Sequence, residues 1–268
     1  MIRQVLGIQY DGSQWHGWQT QPSGNTVQDR LQIALQRFTN DTVITTCAGR
    51  TDSGVHATEQ VVHFDTQIER PAASWVRGLN SHLPPSIAVG WAAVAPTGHE
   101  HEFHARFSAH ARTYRYLIYN HPVRAPLWEG RAGWVFRPLN LSHMRAAASA
   151  LIGVHDFTAF RSADCQAKSP VKTMYSVIVA QQDDLISVTL HANAFLQHMV
   201  RNIVGSLIYV GTGRKPVEWI ASLLSERNRH LAAPTFSPAG LYLTRIDYDA
   251  KWRLPQASTA FPPACAAV

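Results

Sequence analysis

The residue best placed for chemistry is Asp52, in the loop GRTDSGVHA. An aspartate before Ser-Gly ordinarily caps a turn with its own side chain, and that structural role is the alternative. The setting favours chemistry, because the loop lies between two strand-like runs, TVITTCA and EQVVHFD, and Gly49 and Gly54 allow sharp turns. Arg50 lies two residues away. A carboxylate held near a guanidinium stays ionised, as a nucleophile or a general base must be.

Two other residues combine a polar group with apolar surroundings. Arg201 lies in the run AFLQHMVRNIVGSLIYVG, where a buried guanidinium needs a partner because an unpaired buried charge is costly. A surface-facing arginine on the polar edge of a helix is the alternative. Tyr114 shares one strand face with Tyr116 and Ile118 in TYRYLIYN, so on this pattern alone it is a core tyrosine.

A histidine cluster makes a metal enzyme the main competing hypothesis. His99, His101, His104 and His110 lie close together in HEHEFHARFSAH. The string contains no HExxH pattern, and on a strand His101 and His104 point to opposite faces. We therefore predict a cluster that is solvated or faces the binding partner, and no metal site.

Two further sequences have simple structural explanations. Asp183 and Asp184 join two strand-like runs, which favours a solvated hairpin turn over acid and base chemistry. GTGR at 211–214 follows a helical run, so its glycines are interpreted as a helix cap and not as a nucleotide-binding loop.

The elements that must position these residues follow a regular order in the first half. The alternating run IRQVLGIQY predicts a strand, and apolar residues at helical spacing after Asn25 or Thr26 predict a helix. The two runs that flank the Asp52 loop predict strands. AASWVRGLNSHL then predicts a helix ending before Pro84-Pro85, and IAVGWAAVA a strand.

The second half repeats this order loosely. Its predicted strands are TYRYLIYN, TMYSVIVAQ, LISVTLHA and AGLYLTRIDYD, and an irregular aromatic stretch reaches Pro138. Its predicted helices run from Leu141 to Ile152, along AFLQHMVRNIVGSLIYVG, and along PVEWIASLLSE with a proline in its first turn.

This twofold order predicts an α+β protein with two antiparallel-rich halves and an internal duplication. We assign residues 1–106 to an N-terminal half that carries the Asp52 loop. Residues 107–250 form the C-terminal half, and the aperiodic segment 251–268 is predicted to be a loose tail.

Composition narrows the class of protein. At 268 residues and 46% hydrophobic, the chain can bury a sizeable core. There are 24 Lys+Arg against 18 Asp+Glu, a net charge of +6 that suits a polyanionic partner. Cys47, Cys165 and Cys265 form no CxxC pair, which argues against a disulfide framework or a zinc ribbon. With no signal-like or membrane-spanning run, we expect a soluble protein of the reducing cytoplasm.

Five segments, read together, resemble one known family. GRTDSGVHA is similar to the active-site loop of the tRNA pseudouridine synthase A family, and YDGSQWHGWQTQP to its N-terminal signature. FHARFSAHARTYRYLIYN resembles its central strand, and NAFLQHMVRNIVG and AGLYL resemble its C-terminal motifs. The resemblance extends in order over essentially the whole chain.

The resemblance implies a fold and a set of roles. The fold is two RRM-like or ferredoxin-like α/β halves whose mainly antiparallel sheets join into one, with a basic cleft between them. The implied catalytic residues are Asp52, Tyr114, which contacts the target uracil, and Arg201, which pairs with Asp52. Implied substrate contacts are made by Arg50, Tyr114, Leu241, Phe103 and Arg106.

The resemblance also implies an activity, namely isomerisation of uridine to pseudouridine at positions 38, 39 and 40 of the tRNA anticodon stem-loop. Neither a metal nor an organic cofactor is expected, because both atoms exchanged belong to one nucleotide. The expected partners are tRNA and a second copy of the chain, with one tRNA crossing both subunits, and no membrane. The alternative is a non-catalytic RNA-binding module, against which the absence of the RNP1 pattern argues.

Overall fold

The computed structural model describes residues 1–255, which divide into two compact units. The first unit contains Met1–His110 and residues 242–255, and the second contains Ala111–Leu241. The N-terminal half was predicted to end at residue 106, close to this division, but residues 242–250 were assigned to the other half. Trp252 is 4% exposed, so ordered packing continues past residue 250, where the loose tail was predicted to begin. Cys265 and the rest of that tail beyond residue 255 lie outside the described residues.

The first unit is a mainly antiparallel sheet with two helices. Its elements are β1 (Ile2–Tyr10), α1 (Val27–Thr39), β2 (Thr46–Cys47), β3 (His56–Thr66), α2 (Ala72–Asn80), β4 (Ile87–Val94) and, far along the chain, the strand Leu241–Tyr248. β1 lies between β4 and β3 and pairs antiparallel with both. β2 pairs antiparallel with β3, whereas Leu241–Tyr248 pairs with β3 in parallel.

The second unit also combines a sheet with α-helices, of which it has three among the described residues. Its elements are β5 (Ala109–Asn120), β6 (Gly133–Val135), α3 (Leu141–Ser149), β7 (Gly153–Asp156), β8 (Val171–Gln182), β9 (Leu185–Ala192), α4 (Met199–Gly211) and α5 (Trp219–Glu226); the strand Leu241–Tyr248 is β10. Strands β5, β9, β8 and β7 neighbour one another in that order, all antiparallel. β6 pairs in parallel with β5. The α+β class with antiparallel-rich halves is therefore confirmed.

Several predicted elements are shorter than the sequence pattern indicated. β2 contains two residues of the run TVITTCA, and α4 begins at Met199 because His198 takes a left-handed conformation with φ 62°. The short strands β6 and β7 were not predicted, since neither has room for a periodic pattern. Thr26 is the N-cap of α1, where it forms a capping box with Asp29.

Residues in both turn segments behave as predicted. Asp183 and Asp184 are exposed in the two-residue connection between β8 and β9. Gly213 follows the C-terminus of α4 with φ 72°, which is the position of a glycine helix cap. Among residues 1–255, no helix is both long and apolar enough to cross a membrane.

Candidate active site

Asp52 lies in a tight turn between β2 and β3. The Val55 N–H donates to the Asp52 carbonyl over 3.1 Å, which closes the turn, and Gly54 supplies a left-handed residue with φ 76°. The start of the loop is fixed to β3, because the Gln60 side-chain amide donates to the Gly49 carbonyl over 2.6 Å. Asp52 itself is half-buried and Arg50 is exposed. Asp52 thus lies in a sharp turn between two strands, where its carboxylate is partly accessible.

A second loop, residues 11–26, holds the Asp52 loop in place by hydrogen bonds to backbone atoms. The Trp18 N–H donates to the Thr51 carbonyl over 3.0 Å, and the Gly54 N–H donates to the Trp15 carbonyl over 3.3 Å. The Ser53 hydroxyl also donates to the Trp15 carbonyl. Because Trp18 is fully buried and Trp15 nearly so, the second loop is itself anchored in the core. The two loops therefore form one rigid platform.

Gly17 makes the closest approach in this platform. Its φ is +85°, and a Cβ atom added there would meet the Thr51 carbonyl oxygen at 2.8 Å and the Asp52 carbonyl carbon at 3.1 Å. Only glycine permits both the conformation and the contact. Beneath it, the Tyr10 hydroxyl lies 2.7 Å from the Thr51 hydroxyl in a buried hydrogen bond. These two contacts hold Thr51, and with it the backbone of Asp52, in place.

His56 is a positioning residue that the sequence reasoning did not single out. The Gly12 N–H donates to His56 Nδ1 over 3.0 Å, and the imidazole stacks on the Tyr242 ring at 4.5 Å. An Nδ1 that accepts a hydrogen bond leaves the proton of a neutral ring on Nε2. Asp11 lies 3.2 Å from the same nitrogen but pairs with it ionically only if the ring is protonated, which the Gly12 bond opposes. Asp11 lies in the motif YDGSQWHGWQTQP and His56 in GRTDSGVHA. Their presence in these two motifs was the only signal in the sequence for this contact.

Cys47, close to the Asp52 loop, has a buried thiol that is chemically unreactive. Burial raises the pKa of Cys47 to about 12, and the nearby Arg50 charge offsets this only partly. The thiol therefore stays protonated near neutrality and is a poor nucleophile. The chemistry available on this platform is that of a carboxylate, which can attack carbon or accept a proton.

Tyr114 occupies the middle of β5 in the second unit. It lies opposite Leu190 of β9, and its ring meets Phe195 edge-to-face at 5.0 Å. Tyr114 is half-buried, whereas Tyr116 on the same strand is fully buried and donates its hydroxyl proton to the Ser237 carbonyl. The core role considered for Tyr114 thus belongs to Tyr116. Tyr114 keeps a partly accessible ring.

Arg201 and Leu241 both form hydrogen bonds with the segment 235–238. Arg201 Nε donates to the Phe236 carbonyl over 2.8 Å, which fixes the direction of the guanidinium. Leu241 is 5% exposed, and its N–H donates to the Pro238 carbonyl. The segment is tied to α4 by Asn202, whose fully buried side chain accepts a hydrogen bond from Thr235.

Phe103 and Arg106 differ in their access to a substrate. Phe103 is 1% exposed and packs against Tyr248 at 5.2 Å and Trp252 at 5.3 Å. A ring enclosed in this way supports the fold and cannot stack on a nucleotide, so we leave it out of the proposed substrate contacts. Arg106 is exposed, with its guanidinium 5.8 Å from the Phe107 ring.

The histidine cluster divides into exposed and inward-facing members. His99, His101 and His110 are exposed. His104 is half-buried, and its ring meets buried His63 at 4.8 Å. Within residues 1–255, no group of three His, Cys, Asp or Glu side chains is arranged to hold a metal ion.

Comparison with known proteins places these features in a family context. The family model described as tRNA pseudouridine synthase matches residues 7–108 and 147–249. A tRNA pseudouridine synthase A of Janthinobacterium sp. (strain Marseille) is 64% identical over 256 residues, covering 95% of this chain and 94% of that protein. Its namesake in Herminiimonas arsenicoxydans is 61% identical over 254 residues, covering 95% and 92%. A solved Cbf5-Nop10-Gar1 complex covers 90% of this chain and 49% of its own, but with a TM-score of 0.35 and 10% identity it supports no conclusion.

Proposed function

This chain belongs to the tRNA pseudouridine synthase family, and from that premise we propose that it modifies uridines 38, 39 and 40 of the tRNA anticodon stem-loop. It is an isomerase, since its relatives at 61–64% identity are named for that activity over nearly their whole length. The assignment to anticodon positions 38, 39 and 40 rests on the resemblance of the five motifs.

The reaction rearranges one nucleotide and needs no second substrate. The bond from ribose C1′ to uracil N1 breaks, the uracil turns, and a bond forms from C1′ to C5. The proton on C5 is released and N1 gains one, so atoms and charge balance without an oxidant or reductant. Asp52 acts either by attacking C1′ or by removing a ribose proton to leave a glycal-like intermediate. Both routes require its anion.

The other residues position the base and the charges. Tyr114 provides an aromatic surface for the flipped uracil, and Leu241 an apolar wall. Arg201 is the proposed charge partner of Asp52. The exposed Arg50 and Arg106 are proposed substrate contacts, and Arg50 helps to position the flipped nucleotide. The proposal also includes a homodimer that acts in the cytoplasm, which light scattering and cell fractionation would test.

The observation that supports this proposal best is the clamped backbone of the Asp52 loop. A nucleophile or base is efficient when its position is fixed before the substrate arrives. Four hydrogen bonds from residues 15–18 and Gln60 hold the loop at Thr51, Ser53, Gly54 and Gly49. A turn that served only as a connection would not need such support.

The test is Asp52→Asn, measured under single-turnover conditions on an anticodon stem-loop by tritium released from C5. The substitution keeps the shape but removes the anion, so we expect turnover to fall by at least about 10⁴-fold. Affinity for the RNA should persist, because the loss of a negative charge does not weaken attraction to phosphate. The matched control is Asp41→Asn, an exposed carboxyl in the same unit.

Two outcomes would count against the proposal. Near-normal turnover in Asp52→Asn would contradict the catalytic role. RNA binding by the wild type without any tritium release would favour the alternative, a non-catalytic RNA-binding module.

A further inference from the structure

A row of rings in the second unit, two of them exposed and two half-buried, lies outside the residues assigned to catalysis. We define the 119–137 surface as Tyr119, His121, Trp134 and Phe136 with the arginines Arg124, Arg131 and Arg137. We propose that the 119–137 surface is an RNA-binding subsite that stacks unpaired bases and pairs with their phosphates. The proposal rests on the proposed function, because it takes the tRNA substrate as the partner.

The ring row follows from the alternation of strand β6. Gly133 is buried and Val135 is 8% exposed, so the inner positions of this segment alternate with Trp134 and Phe136, which point outward with exposures of 46% and 56%. Trp134 lies beside Tyr119 in the register of β6 on β5. The rings of Trp134 and Phe136 are 6.2 Å apart, and Tyr119 stacks with His121 at 5.7 Å. Two large aromatic side chains thus lie on the outer face without a cover of apolar residues.

The backbone beneath the rings is held rigidly. Asn120 Nδ2 donates to the carbonyls of Val135 and Arg137, each over 2.8 Å. Trp134 Nε1 donates to the His121 carbonyl over 2.8 Å, so the indole N–H is bound within the protein. The Trp134 ring is therefore available to a ligand through its face, since the N–H on its edge is already bonded. A fixed aromatic face is what a base needs for stacking, because little side-chain entropy is lost on binding.

The net charge of the 119–137 surface indicates which ligand it binds. Residues 121–137 contain three arginines and one glutamate, Glu129, so the segment is positive. The Arg137 guanidinium lies 5.6 Å from the centre of the Phe136 ring. Arg124, Trp128 and Trp134, together with Tyr119 and Glu129, line a small hollow of about 130 Å³. Aromatic rings alternating with arginines are typical of surfaces that bind single-stranded RNA.

A second copy of the chain is the other occupant considered. The exposed Val123 and Leu127 would suit a protein contact. In a twofold contact, however, this net positive surface would face the same net positive surface of the second copy, and like charges oppose association. RNA has the complementary charge, so RNA is the partner that the surface fits.

The test compares two variants with matched controls, using equilibrium binding of full-length tRNA. Phe136→Ala removes a stacking ring, and we expect about tenfold weaker binding. Arg137→Gln removes one phosphate contact, and we expect the dependence of log affinity on log salt to become shallower by about one. The controls are Ile178→Ala, an exposed apolar residue of the same unit, and Arg70→Gln, an arginine 4.2 Å from the Phe38 ring.

The outcomes are distinguishable. Weaker binding in both variants, with normal binding in both controls and unchanged turnover at saturating tRNA, supports the proposal. Equal losses in Arg70→Gln would mean that only net charge matters and would overturn it. Unchanged tRNA affinity together with an altered oligomeric state would assign the surface to a second copy and would also overturn it. A wild type that releases no tritium from tRNA contradicts the proposed function, whereas active, tightly binding variants contradict this surface alone.

Discussion

At the scale of single residues, the hydrogen bonds that grip the Asp52 loop are made largely by its main chain. The carbonyls of Thr51 and Asp52 accept bonds, and the N–H of Gly54 donates one. Replacing the Asp52 carboxyl by an amide leaves these bonds intact. The loss of turnover expected in Asp52→Asn therefore reports on the anion and not on a displaced loop.

His63 gives a second prediction at this scale, concerning stability in acid. Its Nδ1 accepts the Ala105 N–H over 3.1 Å, and burial, with the His104 and Arg3 charges, lowers its pKa from 6.5 to about 4. Between those two values the unfolded chain binds the proton more readily than the folded one. The stability is therefore complete above pH 6.5 and falls as the pH drops toward 4. We expect a loss of about 1 to 2 kcal/mol at pH 5 relative to pH 7.

The measurement is urea unfolding of the wild type and His63→Asn at both pH values. Asparagine keeps an acceptor near the Nδ1 position but does not titrate, so the variant should lose less stability in acid. The exposed His101→Asn is the control and should behave as the wild type. His104, whose pKa burial also lowers, contributes in the same direction and remains in every variant. An identical acid loss in His63→Asn would contradict the assignment.

At the scale of elements, the two loops around Asp52 act as one unit because Gly17 admits no side chain. We expect Gly17→Ala to lower turnover by at least about tenfold, since the added methyl meets the carbonyls that carry Asp52. The matched control is Gly24→Ala, whose φ of +63° is strained in the same way but whose Cβ would meet nothing within 4 Å. Both variants should lose about 1 kcal/mol of stability from the left-handed backbone, and Gly17→Ala should lose more because its Cβ also meets backbone atoms.

Single-turnover rates and thermal melts separate the two effects. Only Gly17→Ala should lose turnover, while both should melt below the wild type. Equal turnover in the two variants would mean that the close approach of Gly17 does not position Asp52.

The platform also shows which parts of the site a sequence can reveal. The location of Asp52 between two strands followed from local patterns, because turn residues and apolar runs are short-range signals. The approach of Gly17 to Thr51 joins residues far apart in the chain, and no local pattern encodes it. Phe103 illustrates the converse. It was assigned to the substrate by resemblance, yet Tyr248 and Trp252, from the far end of the chain, enclose it.

At the scale of the whole molecule, each unit builds its sheet from the same kinds of element. The first unit has the chain order β1-α1-β2-β3-α2-β4, as predicted, and the second adds β6 and β7 to a related order. Such units leave much of their chemistry to loops and strand ends. The Asp52 loop in one unit and the 119–137 surface in the other follow this rule.

The last prediction concerns the charge of the whole chain. With a net charge of +6 and 24 basic residues, mostly arginine, tRNA binding should release many counterions. We expect the affinity for tRNA to fall by at least about tenfold between 50 and 200 mM monovalent salt, with magnesium held constant so that the RNA stays folded. Turnover at saturating tRNA should change little over the same range, because the chemical steps proposed for Asp52 would occur after the phosphates are bound. Filter binding and single-turnover rates on the same samples measure both quantities, and repeating the series with glutamate in place of chloride separates counterion release from anion binding to the protein. If the affinity were independent of salt while turnover fell, the basic residues would act on the chemical step, and the electrostatic account of tRNA binding would be wrong.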